Sequence, residues 1–345
     1  MSRATLDLLR TPLDYAALPA AELKERVLRG KKALNAVILG HNYQRGEIQD
    51  VSDFLGDSLG LSQEAAETRA DVIVFCGVHF MAETAKVLSP RKRVLMPDLR
   101  AGCPMADFVT GDALRRLKAE HPDAAVVAYV NSTAEVKAES DICCTSSNAV
   151  AICESIPREQ PIIFVPDRNL ARYVVEKTGR ENLIAWDGYC YVHDDMVLVE
   201  LDAARKANPR AKVVIHPEAR KDLLDQADFV TSTSGMVKLA ADHDELIIGT
   251  ERGLVDRLVD QYPGKKFIPL SGAAICGNMK LNTLAKLAWS LEHERHEVLL
   301  DEDIRVRAER SLRRMLELSG GWRAPTVVER GIEEAGLKMS GCGCA

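Results

Sequence analysis

No apolar run in this 345-residue chain approaches the roughly 18 residues that a membrane-spanning helix requires. The first 27 residues are broken up by Arg3, Asp7, Arg10, Asp14 and Glu22, so the apolar stretch of a secretory signal is lacking too. A chain of this kind is expected to stay in the cytoplasm. It also has no long basic run, and its net charge is -6. That argues against a nucleic-acid or anionic-membrane partner. An anionic small substrate must then be met by local positive potential rather than by global charge. What is present is ordinary for a globular protein: 46% apolar and 28% charged residues, in a chain long enough for two or three domains.

Nine cysteines, at 76, 103, 143, 144, 153, 190, 276, 342 and 344, are an odd number. In a reducing compartment they point to metal or redox chemistry before structural disulfides. Three of them fall in an internal repeat. The segments Ala36–Tyr43, Ala125–Asn131 and Lys212–Glu218 are β-rich apolar runs that end in polar residues. Each is followed by a charged stretch of helical period (Glu47 to Phe54, Ala134 to Ser140, Ala219 to Ala227). A hydroxyl-rich turn comes next: Asp57-Ser58, Thr145-Ser146-Ser147 and Thr231 to Gly235. Ser and Thr cap helix N-termini well, so these turns predict helix starts.

The second half of each unit holds two more predicted strands: Asp71 to Cys76 and Val94 to Met96, Pro161 to Val165 and Leu183 to Ala185, Glu245 to Ile248 and Phe267 to Leu270. A loop carrying Cys103, Cys190 or Cys276 closes it. Cys103 to Cys190 spans 87 positions and Cys190 to Cys276 spans 86, near-equal intervals that mark a triplicated unit. The expectation is an α/β fold of three pseudo-threefold-related α/β/α units, with parallel sheets around a central active site. Ligands would bind beyond the carboxyl ends of the strands. The expected organisation is an N-terminal helix from near Pro19 plus the first repeat over 1–120, the second repeat over 121–210 and the third over 211–281. Residues 282–345 add C-terminal helices and a Cys342/Cys344 tail.

Three thiolates with no fourth equivalent suit a cubane [4Fe–4S] cluster with one iron open as a Lewis acid. A zinc ion with a water in the fourth position is the alternative, weakened because structural zinc usually takes its ligands in closely spaced pairs. A cluster-bearing redox sensor would need a partner surface, such as a basic DNA-binding element, and none is visible. Cys76, Cys143, Cys144 and Cys153 lie in or beside apolar stretches and read as buried filler. The strand-end residues His41, Asn42, Tyr43, Tyr129, Asn131, His216 and Glu218 recur at one position of the repeat, which marks them as functional. The helix starts at Ser58, Ser146 with Ser147, and Ser232 with Thr233 would together form an anion site.

These motifs resemble the quinolinate synthase family from about Ala36 to Thr283. The resemblance runs through Gly40-His-Asn-Tyr-Gln44, Gly56-Asp-Ser58, Ala101-Gly-Cys-Pro-Met-Ala-Asp107, Tyr129-Val-Asn-Ser132, Thr145-Ser-Ser147, His216-Pro-Glu218, Thr231-Ser-Thr-Ser-Gly235 and Cys276-Gly-Asn-Met-Lys280. It implies condensation of iminoaspartate with dihydroxyacetone phosphate, with loss of phosphate and water, to give quinolinate, the precursor of NAD. An iminoaspartate-producing oxidase or dehydrogenase would act upstream. It implies a [4Fe–4S] cluster on Cys103, Cys190 and Cys276. By the same resemblance, substrate would be bound by His41, Ser58, Tyr129, Val130, Asn131, Ser146, Ser147, His216, Pro217, Glu218, Ser232 and Thr233. Tyr43 and Glu218 would move protons, with His41 and His216 beside them.

Overall fold

The computed structural model describes residues 13–319; the expected Cys342/Cys344 pair lies outside the described residues. Twelve strands form three four-stranded sheets of identical order. The first contains β1 (Ala36–His41), β2 (Phe54–Gly56), β3 (Val72–Cys76) and β4 (Arg93–Leu95). The second contains β5 (Ala125–Tyr129), β6 (Ile142–Cys144), β7 (Ile162–Val165) and β8 (Leu183–Ala185), and the third β9 (Lys212–Ile215), β10 (Phe229–Val230), β11 (Glu245–Gly249) and β12 (Lys266–Pro269). The orders are β2-β1-β3-β4, β6-β5-β7-β8 and β10-β9-β11-β12, with every pairing parallel. Helices lie between the strands, as parallel sheets covered on both faces require. This is why β1, β3, β5 and β7 are buried at every position and read as continuous Val/Ile/Leu runs.

Each sheet has one more strand than the sequence pattern suggests. The stretch expected to be helical from Glu47 to Phe54 is a single turn, Gly46–Gln49, and Phe54 already opens β2. Single turns Ala134–Ala138 and Lys221–Leu224 likewise precede β6 and β10. Strands of two or three residues are too short to show a period, but each is pinned by the same device. Asp53, Asp141 and Asp228, directly before the edge strands or one residue ahead, accept the backbone N–H of Ile38 (2.8 Å), Val126 (2.7 Å) and Val213 (2.8 Å) in the neighbouring central strand. A short strand with few ladder bonds of its own thus gains a carboxylate clasp.

The helix Ala20–Ala33, with Pro19 at its N-cap, packs against the helix Leu284–His293. At Gly30 the two approach so closely that an added Cβ would lie 2.9 Å from Leu291 Cβ. The helix Glu302–Leu318 instead completes the second unit, inserting the fully buried Leu312 and Met315 into its core, about 1.5–3 kcal/mol for each such side chain. Among the described residues no helix is long and apolar enough to cross a membrane.

In each sheet the order reverses between the first and third strands of the unit, so a crevice opens at their carboxyl ends. The polar strand ends of the three units meet there.

Candidate active site

One cavity, with about 640 Å³ of space not filled by protein atoms when its opening to solvent is included, is lined by all three units. The first gives His41, Tyr43, Ser58 and Cys103, the second Tyr129, Asn131, Ser146 and Cys190, and the third His216, Glu218, Thr233 and Cys276. Each unit thus supplies one cysteine, one hydroxyl from the turn ahead of a helix, and two residues from a strand end. Val130, Ser147, Pro217 and Ser232 are not in the wall. Val130 is buried in the second unit's core, Ser147 is exposed with its hydroxyl on Thr145, and Ser232 caps its own helix.

The strand ends of the first and third units share a device. Tyr43 N–H donates to His41 Nδ1 (3.1 Å), and Glu218 N–H donates to His216 Nδ1 (3.4 Å). A ring nitrogen that accepts carries no proton, so in the neutral imidazole the proton sits on Nε2. Burial drives both imidazoles down to about 3, which keeps them neutral at physiological pH. The result is two neutral Nε2–H donors; that of His216 is 3.2 Å from Ser146 Oγ.

Among the described residues Glu218 is the only carboxylate in the wall besides Asp57, and it is 2% exposed. Burial alone would raise its carboxyl. The neighbouring His193 and His216 and the hydroxyl donated by Tyr129 outweigh that and bring it down to about 2, so it is ionised. His193 Nδ1 lies 2.8 Å from Glu218 Oε2 but makes no aligned hydrogen bond, so the carboxylate sits off the axis of that ring nitrogen. On the other side of the ring, His193 Nε2 is 3.0 Å from Thr250 Oγ1, which is 2.6 Å from Tyr43 OH. A run of close polar contacts therefore leads from Tyr129 through Glu218, His193 and Thr250 to Tyr43, hydrogen-bonded at every step except the ion-pair contact between Glu218 and His193. Burial, then the Glu218 charge, pushes the Tyr43 phenol well above its usual range, so it holds its proton.

No lysine or arginine lines the cavity among the described residues. Positive potential comes from backbone: the ten-residue helices Ser58–Glu67 and Thr233–Asp242 both begin at the wall. Asp57, not Ser58, caps the first, accepting Gly60 N–H at 3.0 Å. Ser232 caps the second, leaving Ser58 and Thr233 at the first helical positions. Asn131 Oδ1 is buried without a partner. Its loop is clamped from behind by the fully buried Lys137, whose Nζ donates to Ser132 O at 2.6 Å.

Cys103, Cys190 and Cys276 are partly exposed, whereas Cys76, Cys143, Cys144 and Cys153 are buried. All three wall thiols are pushed up by burial first; nearby negative charge then raises Cys190 (Glu218, Cys103 and Cys276), Cys103 (Cys276) and Cys276 (Glu251) further. Such a trio becomes thiolate readily only beside a cation, so the donor set fits a cationic metal group. Cys190, His193 and Glu218 in particular have ligand atoms within 4.8 Å of one another and could hold a metal ion.

A family model described as "Quinolinate synthetase A protein" matches residues 25–317. The chain is 53% identical over 308 residues to the quinolinate synthase of Desulforudis audaxviator, covering 89% of this chain and 100% of the relative. It is 51% identical over 298 residues to that of Dehalococcoides mccartyi, covering 86% and 98%. The chain belongs to the quinolinate synthase family. It is an enzyme of that type, and the resemblance of its motifs extends over residues 25–317. Motif reading missed two residues of the site, His193 and Thr250. His193 carried a usable signal: it follows Cys190 by one helical turn, on Tyr191–Asp194. Thr250 had none, being a single threonine after β11. The apolar part of the wall, with Phe80, Met81 and Met105, reads in sequence as ordinary core.

Proposed function

We propose that the protein condenses iminoaspartate with dihydroxyacetone phosphate, releasing phosphate and water, to form quinolinate for NAD biosynthesis in the cytoplasm. The iminoaspartate would come from an oxidase or dehydrogenase acting upstream. The observation that carries this reading is the convergence of four residues from each unit, one of them a thiol, on a single cavity. Cys103, Cys190 and Cys276 would hold a [4Fe–4S] cluster, and such a cluster supplies, when bound, one iron open to an oxygen or nitrogen of the substrate.

The chain's own residues do the rest. The N-termini of Ser58–Glu67 and Thr233–Asp242 receive carboxylate or phosphate oxygens, with Ser58, Thr233 and Ser146 adding hydroxyl donors. His41 and His216 donate Nε2–H to substrate oxygens. They add no charge, so the two anionic substrates are held by dipoles that do not have to be deprotonated or displaced. Asn131 offers an unpaired carbonyl oxygen to a substrate N–H or O–H. Glu218 takes protons from the carbon skeleton, its charge held in place by the Tyr129 hydroxyl, and Tyr43 returns a proton at the other end of the path.

The deciding experiment is an anaerobic assay for quinolinate from the two substrates, with iron and sulfide measured on the same protein. A brown protein that bleaches in air and makes quinolinate is expected. Cys190→Ser should lose cluster and turnover together, and a Cys190→Ser protein with full iron and full rate sinks the ligand assignment. One divalent ion on Cys190, His193 and Glu218 is a second reading, supported by the closeness of their ligand atoms. A colourless protein holding one zinc per chain would favour it.

A further inference from the structure

In each unit the second long helix follows the third strand, and its N-cap lies two residues after that strand ends: Val78, Asp167 and Glu251. The three caps differ in chemistry. Val78 has no side-chain acceptor, so in the first unit the helix start meets the loop before Cys103 through backbone, His79 N–H to Ala101 O at 2.7 Å, and that loop is held instead by the buried Asp98, which accepts Arg100 N–H at 2.9 Å and pairs with Lys286 at 2.8 Å. In the second unit Asp167 caps its helix through Leu170 N–H (2.6 Å), and the Cys190 N–H is among the groups that favour its charged form.

In the third unit the contact is complete. Glu251 is 0% exposed. Its Oε2 accepts Gly253 N–H at 2.6 Å and its Oε1 accepts the backbone N–H of Cys276 itself at 3.1 Å. Lys280, four residues beyond Cys276, closes the arrangement: its Nζ is 3.0 Å from Glu251 Oε1 and donates to Tyr43 O at 2.5 Å. The charge that makes Glu251 a strong acceptor is thereby neutralised, which a buried carboxylate needs. Space for the pair is reserved at Gly253, where an added Cβ would fall 2.6 Å from Lys280 Nζ and 2.8 Å from Glu251 Oε2.

We propose that Glu251 is a positioning residue for Cys276: one buried carboxylate fixes both the start of its helix and the backbone of the cysteine, while Lys280 ties that loop to the Tyr43 strand end of the first unit. This rests on the reading of Cys276 as a cluster ligand. It explains how the third thiol can be fixed in place on a loop that exposes Ile275 and Gly272. Partners of this kind around metal ligands are worth about ten- to a hundredfold in metal retention.

The test is the rate at which a chelator strips iron from the anaerobically reconstituted full-length protein. Glu251→Ala should lose iron about ten- to a hundredfold faster than wild type. Glu251→Gln, whose single carbonyl oxygen can accept from Cys276 or from Gly253 but not from both, and which carries no charge to pair with Lys280, should fall between. Gly253→Ala, which forces the same pair apart from outside the cysteine loop, should move in the same direction. Iron loss at the wild-type rate in both Glu251 variants overturns the proposal. If Glu251→Ala does not fold, Glu251→Gln decides alone by the same criterion. A wild-type protein that takes up no cluster fails before any variant is compared, and that result strikes the cluster reading itself.

Discussion

The first and third units end their first strands in nearly the same way, and the small difference between them sets the chemistry. At both ends a buried, neutral imidazole accepts the N–H two residues ahead through Nδ1. The residue supplying that N–H is Tyr43 in one unit and Glu218 in the other. The backbone device is therefore a holder that fixes a histidine tautomer and aims the side chain two positions on. Whether that side chain keeps a proton or has lost one is decided by identity and surroundings. The same burial that raises the Tyr43 phenol is overcome at Glu218 by His193, His216 and Tyr129. The middle unit has Tyr129 where the others have histidine, and it serves by donating its hydroxyl to Glu218.

If the two ends are one holder carrying an acid and a base, removing the base should cost most. Glu218→Gln preserves shape and the backbone hydrogen bond to His216 but cannot take a proton. Turnover is expected to fall by about a thousandfold, within the range for lost general base catalysis. Iron content should stay at the wild-type level, since Glu218 is not one of the three thiols. A Gln variant with more than a tenth of normal turnover would remove Glu218 from the proton path.

Tyr43→Phe sharpens the comparison from the other side. The backbone N–H to His41 persists, and so does the ring's edge contact with it, centroids 4.6 Å apart, so only the hydroxyl on Thr250 and near His193 is lost. A fall of about a hundredfold in kcat is expected, with KM little changed because the helix N-termini still hold the anions. An equal loss from Thr250→Val would support the path through Thr250, whereas wild-type turnover in Thr250→Val would restrict it to the direct 3.4 Å approach of Tyr43 to His193.

How much of this was readable beforehand follows from length scale. Short apolar runs built on Val, Ile, Leu and Ala, repeated in triplicate, announce β1, β5 and β9 and their polar ends, and the nearly equal cysteine intervals align the units. β2, β6 and β10 were not readable because two or three residues carry no period, although Asp53, Asp141 and Asp228 recur fifteen residues after the positions they clasp. His193 and Thr250 were hidden for a different reason. Their roles arise from contacts across units, with Glu218 from the third and Tyr43 from the first, and no spacing along the chain encodes those.

The smallest expected effect concerns the holder itself. His41 and His216 have folded-state pKa values near 3 because burial excludes the charged form, against about 6.5 in the unfolded chain. Above pH 6.5 both states bind no proton at these rings and stability is unaffected. Between pH 6.5 and 3 the unfolded chain takes up protons that the folded protein refuses. Each histidine should then remove about 1.4 kcal/mol of stability per pH unit on the way down. Glu218 adds acid sensitivity only below its ordinary value of 4.5, as its lowered pKa implies, and the buried carboxyls held above their ordinary range, Asp57, Asp167 and Glu251, are common to wild type and variants, so between pH 6.5 and 5 the difference between the proteins reports the two rings. Urea unfolding followed anaerobically at pH 6.5 and 5 should therefore show a steeper loss in wild type than in His216→Asn, and the shallowest slope in the His41→Asn/His216→Asn double variant. Parallel slopes in all three proteins would mean that both rings accept a proton while folded, and the shared neutral device at the two strand ends would be wrong.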